Sequence, residues 1–153
     1  MAKITTEQIK KLREKTQAPV MECRTALREA GGKSEKALEI LRKKGLERAD
    51  KKASREVKAG LVDSYTHTTG RVGVLVELLC ETDFVARNEE FKKLAHELCL
   101  QVASMAPKDI QELLAQEYIR DPQKRVQDLL KETIGKLGEN IVIRRFERFE
   151  LGA

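Results

Sequence analysis

Between Val72 and Leu79 the chain reads Val-Gly-Val-Leu-Val-Glu-Leu-Leu, a nearly unbroken apolar run, whereas most of its other apolar residues recur at steps of three and four. A run this short suits a strand, and consecutive apolar positions imply a central strand covered on at least part of both faces. Gly60, Leu61 and Val62 open a second strand, and Thr68-Thr69-Gly70-Arg71 supplies turn chemistry between the two, so the pair reads as an antiparallel hairpin. Aromatics are only 4% of the residues and Trp is absent. The core must therefore be assembled from Leu, Ile, Val and Ala, mainly on helices.

Caps and stripes mark those helices. Asn88 precedes Glu89 and Glu90, and Phe91, Leu94, Ala95, Leu98 and Val102 then share one face up to a stop before Pro107. Asp109 with Glu112 makes a capping pattern ahead of Ile110, Leu113, Leu114 and Tyr118. Asp121-Pro122 starts a last helix with Val126, Leu129, Leu130, Thr133, Ile134 and Leu137 on one face, and Gly138 ends it. Ile141 to Phe149 reads as a strand. Nearer the N-terminus, Thr5 and Gln8 form a capping box for a helix ending near Thr16. Pro19 opens a second along Val20, Cys23, Leu27 and Ala30 to a stop at Gly31-Gly32, and Ser34 caps a third that carries Ala37, Leu38 and Leu41 to Gly45. The expected fold class is α+β. A three-helix module over residues 1–45, resembling ubiquitin-associated domains, is followed by a charged helical linker over 46–58 and a small antiparallel sheet packed with helices over 59–153.

Catalytic chemistry has little to stand on. Cys23, Cys80 and Cys99 form no C-x-x-C pair and lie among apolar neighbours, as reduced core thiols do. His67 and His96 have no metal-ligand spacing, and the chain has neither G-x-x-x-x-G-K-[ST] nor G-x-G-x-x-G, so it should not itself hold a metal, GTP or a dinucleotide. Acid pairs such as Glu89-Glu90 are accounted for by helix starts. The residues point to binding, not to an enzyme, and to no cofactor. No apolar run reaches the roughly 18 residues of a membrane span and no signal peptide is present, so a cytoplasmic, membrane-free location is expected. The formal charge is +5, but 25 acidic residues are interspersed with 30 basic ones, a mixed surface. Arg48, Lys51, Lys52 and Arg55, and separately Arg144, Arg145 and Arg148, keep a nucleic-acid-binding reading open.

One short segment stands apart. Thr82-Asp83-Phe84-Val85 lies between the apolar run and the helix that Asn88 caps, and its Phe is flanked by a carboxylate and by Ala86-Arg87-Asn88 instead of sitting in a periodic stripe. It is either a core plug at a strand–helix corner or an exposed tool. The stretch Glu77 to Asn88, the N-terminal Ile9-Lys10-Lys11-Leu12-Arg13-Glu14-Lys15-Thr16 and the C-terminal Gly138-Glu139-Asn140-Ile141-Val142-Ile143-Arg144-Arg145 together resemble the translation elongation factor Ts family.

That resemblance implies a guanine-nucleotide exchange factor whose partner is the GTPase elongation factor Tu. By it, Lys10, Arg13, Val20 and Met21 match the docking positions of the N-terminal module. Thr82, Asp83, Phe84 and Val85 match the motif whose Asp and Phe enter the GTPase near its magnesium, and Leu137 and Gly138 match an Ile-Gly pair supporting that contact. Short members with a single core domain supply missing surface from a second copy, which implies a homodimer and a 2:2 complex. The longer members carry a second core subdomain and a helical insertion that this chain lacks, and Gln17 stands where the family usually has Gly. An adaptor of ubiquitin-associated type would use the first 45 residues only and leave the rest without a role.

Overall fold

In the computed structural model, which describes residues 3–153, the apolar run is β2 (Val72–Cys80), the middle strand of a three-stranded antiparallel sheet between β1 (Ala59–Thr66) and β5 (Ile141–Glu150). The class is α+β. Alternate residues of β2 point opposite ways, and Val74, Val76, Leu78 and Cys80 are buried beneath α5 (Glu89–Met105), whose Phe91, Leu94, Ala95, Leu98 and Val102 are buried with them. Each large side chain buried in this layer contributes about 1.5–3 kcal/mol. The other face of β2 is covered only in part, because Leu75 is exposed there beside Val62 of β1 and Phe149 of β5.

The expected caps form. Thr5 and Gln8 exchange hydrogen bonds at the start of α1 (Thr6–Thr16), the Asn88 side chain accepts from the Glu90 N–H at 2.8 Å, and Asp109 accepts from the Glu112 N–H at the start of α6 (Ile110–Ala115). Gly138, at φ 77°, ends α7 (Val126–Leu137). Gln17 adopts φ 55° and its N–H donates to the Arg13 carbonyl at 2.8 Å, a left-handed cap that costs an L-residue about 1–2 kcal/mol and suits glycine better.

Two elements differ from the sequence reading. The third helix does not end at Gly45 but continues as α3 (Ser34–Lys52), with Lys33 as its N-cap and no side-chain cap from Ser34. Residues 46–52 are therefore the C-terminal end of that helix, and 53–58 are not helical. At Gly45 its backbone is approached closely by α7: a Cβ on Gly135 would stand 3.1 Å from the Gly45 Cα and carbonyl oxygen. In α2 (Val20–Glu29), Cys23 and Leu27 are buried, but Val20 is exposed. Residues Leu12, Ala26, Leu27, Ala37 and Leu41 belong to one hydrophobic cluster and Ala49 to another with the sheet, so α3 contributes to both.

The second difference lies between residues 117 and 125, where Asp121-Pro122 does not open a helix and Tyr118 is not on one. Glu117–Tyr118 is β3, paired with β4 (Asp121–Arg125), and α7 begins only at Val126, with the Arg125 N–H donating to Asp128 at 3.0 Å. Two buried polar residues of α5 hold this hairpin. Tyr118 donates to Glu97 at 2.7 Å, Arg120 pairs with the same carboxylate, and Gln101 donates to the Glu117 carbonyl while accepting from the Ile119 N–H. Burial pushes the Glu97 carboxyl up, but hydrogen bonds from Arg120 and Tyr118 outweigh it and leave Glu97 below the ordinary carboxylate range.

A depressed native value stabilises the fold above the unfolded pKa of about 4.3, and that stabilisation is lost as pH falls through the native value. Glu97→Gln should therefore cost about 1–3 kcal/mol at neutral pH. Melts of both proteins from pH 7 to 3 should show the gap closing in acid; a constant gap would mean that the charge contributes nothing.

Candidate functional site

Thr82 leaves β2 in extended conformation (φ −129°, ψ 153°) and its hydroxyl accepts from the Val85 N–H at 3.4 Å, which starts the single turn α4 (Asp83–Ala86). Val85 and Ala86 are buried in the sheet core. A helical turn that buries these two residues turns the preceding pair outward, and Phe84 is 85% exposed. The core-plug reading of Phe84 is excluded by that exposure. Val85, by contrast, faces inward and supports the turn from below.

Sequence reasoning gave Glu139 no role, yet its carboxylate holds the base of this turn. One oxygen accepts from the Glu81 and Thr82 N–H groups at 3.1 and 2.9 Å, and the other accepts from the Thr82 hydroxyl at 2.7 Å. The brace is reciprocal: Glu81 accepts from the Asn140 N–H at 2.8 Å, and the Asn140 side chain donates to the Arg55 carbonyl at 2.8 Å. Glu139 directly follows Leu137 and Gly138, so the end of α7 and the Thr82–Val85 turn form one assembly. In the sequence Glu139 stood out only as the residue after a helix stop and as a member of the stretch Gly138 to Arg145 that carries the family resemblance. Burial and the nearby Glu139 charge push the Cys80 thiol up, which keeps it protonated to donate to the Thr82 carbonyl at 3.2 Å.

Lys10, Arg13, Val20 and Met21 lie apart from this turn, on α1 and α2, and all four are exposed. The arginines considered for nucleic acid do not gather. Arg145 pairs with Glu77 at 2.7 Å on the outer sheet face, while Arg148 turns to the helix side and donates to the Ala103 carbonyl at 3.1 Å. Arg48 pairs with Glu22 at 2.8 Å. His96 meets Asp63 at 3.2 Å and His67 meets Tyr65 at 2.9 Å, and among the described residues no group of three His, Cys, Asp or Glu could hold a metal ion. No helix among them is long and apolar enough to cross a membrane.

The family model described as Elongation factor TS matches residues 81–153, the segment that runs from the braced turn to the C-terminus. Elongation factor Ts of Thermoanaerobacter sp. (strain X514) is 46% identical over 97% of this chain and 95% of its own length. The chain belongs to the elongation factor Ts family. It is thus a translation elongation factor by family. Elongation factor Ts of Caldanaerobacter subterraneus subsp. tengcongensis is 45% identical, covering 97% of each chain, and that of Oleidesulfovibrio alaskensis is 41% identical over the whole of both. The alignments with these relatives run over 194 to 198 positions against the 153 residues here, so the relatives carry stretches that this chain lacks.

Proposed function

We propose that the chain is a guanine-nucleotide exchange factor, not an enzyme, which binds GDP-bound elongation factor Tu and promotes GDP release by disturbing its magnesium and phosphate site. The observation that carries this reading is Phe84, a large aromatic 85% exposed on a turn whose next two residues are buried and whose base is hydrogen-bonded to Glu139. A bare Phe contributes nothing to its own fold there. Pushed into a partner, a rigid aromatic displaces the elements that hold magnesium, and the adjacent Asp83 carboxylate disfavours an anionic nucleotide in the same place. Leu137 and Gly138 support the wedge from the end of α7. Lys10, Arg13, Val20 and Met21 dock the N-terminal module, residues 1–45, on the GTPase, with 46–58 connecting it to the exchange domain, 59–153.

Reciprocity sets the cycle. A factor that weakens nucleotide affinity by some ratio is itself weakened by nucleotide to the same ratio, so it leaves when nucleotide returns. GTP prevails through supply. Stopped-flow release of labelled GDP from elongation factor Tu, with and without the chain, tests the reading directly, and an unchanged release rate would refute it.

The working form in this proposal is a homodimer joined through the outer face of the sheet, giving a 2:2 complex. Support comes from Val62, Leu75 and Phe149, which are 65%, 49% and 72% exposed on one face around the Glu77–Arg145 pair. An apolar patch of this kind calls for a covering surface, and a second copy presents a matching one by symmetry. Sedimentation at micromolar concentration should give twice the 17.4 kDa chain mass, and Leu75→Glu should return it to monomer. A wild-type protein that sediments only as monomer overturns the dimer.

A further inference from the structure

Resting on the exchange reading above, we propose that Gly135 is a positioning residue: its contact with Gly45 fixes the N-terminal module against the exchange domain, so that the docking surface and the Phe84 wedge meet the GTPase together. The two regions are not joined by a loose tether. Helix α3 is continuous from Ser34 to Lys52, closing the N-terminal cluster with Ala37 and Leu41 and joining the sheet cluster with Ala49. Between those ends it crosses α7 with backbone against Gly135. A Cβ on Gly135 would stand 3.1 Å from the Gly45 Cα and carbonyl oxygen and 3.3 Å from its carbonyl carbon, tighter than packed side chains tolerate without a shift.

Ion pairs lock the crossing on both sides. Arg42 meets Glu132 at 2.7 Å and Asp50 meets Lys131 at 3.0 Å, each pair joining α3 to α7. Four residues after Gly135 the same chain reaches Glu139, the brace of the Thr82–Val85 turn. One helix thus registers the head at one point and the wedge at the next. Any side chain on Gly135 lifts α3, and with it Lys10, Arg13, Val20 and Met21, relative to Phe84.

The two glycines are not equivalent, which supplies an internal control. A Cβ on Gly45 meets nothing within 4 Å, so Gly45→Ala keeps the crossing while making the same chemical change. Double electron–electron resonance between spin labels at the exposed positions of Lys11 and Lys92 reads the orientation in the full chain, since the three native cysteines are buried. GDP release from elongation factor Tu is measured on the same proteins.

With labelled chains diluted into an excess of unlabelled ones, so that the two labels of one chain dominate, the expected result is one narrow distance and near-normal exchange for wild type and Gly45→Ala. Gly135→Leu should shift or broaden the distance and lower the maximal release rate about tenfold or more, with a smaller change in the half-saturating concentration, because misplacing a positioned group by about 1 Å can cost a hundredfold. Should the Leu variant not fold, Gly135→Ala should show a smaller shift and a loss of about two- to threefold in the same sense. Normal distance and normal release in the folded Gly135 variants overturn the proposal, as does a loss of release at unchanged distance. Wild-type protein that does not speed GDP release refutes the exchange reading instead, and the distance measurements still report on the crossing.

Discussion

Phe84→Ala lowers the maximal rate of catalysed GDP release about tenfold or more, the scale expected of an aromatic anchor removed from a contact, while changing stability by no more than about 0.5 kcal/mol. The two halves of that expectation come from the same fact. Phe84 is 85% exposed in the free chain, so truncation removes almost no buried surface and leaves no cavity. Phe91, seven residues on, is fully buried beneath β2, and Phe91→Ala should cost about 3–5 kcal/mol. Melting curves for both variants, with release assays on each, make the comparison internal. A Phe84→Ala protein that melts early and exchanges normally per folded molecule would show that the residue serves the fold and not the partner.

Glu139→Ala is expected to lower exchange nearly as far without touching Phe84. Its carboxylate takes three hydrogen bonds from Glu81 and Thr82, and without it two backbone donors and a hydroxyl must find water. The stability loss should be about 1–2 kcal/mol, since these groups are only partly buried. The loss of function should be larger, because α4 is a single turn with little beside Val85, Ala86 and this brace to orient it. Glu139→Gln keeps the shape and one acceptor oxygen and should recover much of the rate. If the alanine variant exchanges at the wild-type rate, the brace does not position the wedge. If glutamine is as poor as alanine, the charge itself matters.

Local rules read much of this molecule correctly. Caps at Thr5, Asn88 and Asp109 and the stops at Gly31-Gly32 and Gly138 depend on neighbours in the chain, and each appears where the sequence puts it. The rules failed where distant residues override them. Gly45 looked like a helix stop because glycine is a weak helix former, yet its helix continues, with α7 packed against it. Asp121-Pro122 looked like a helix start, but Glu97 and Gln101, some twenty residues earlier, hold the segment from Glu117 to Arg120 in a hairpin. Neither partner is visible in a short window.

The candidate site divides in the same way. The sequence by itself determined that the chain is an α+β protein with a central apolar strand, and it marked Thr82-Asp83-Phe84-Val85 as a motif out of step with the periodic stripes around it. It did not decide whether Phe84 plugs a corner or faces solvent, because a single turn has too few residues to show a period. Tertiary structure decided that. Burial of Val85 and Ala86 turns Phe84 outward, Glu139 reaches back from the end of α7 to hold the turn, and the Gly45–Gly135 crossing gives the two regions one frame. The physical reason is range: helix caps and alternation act over a few bonds, whereas exposure, bracing and orientation are set by packing between segments tens of residues apart.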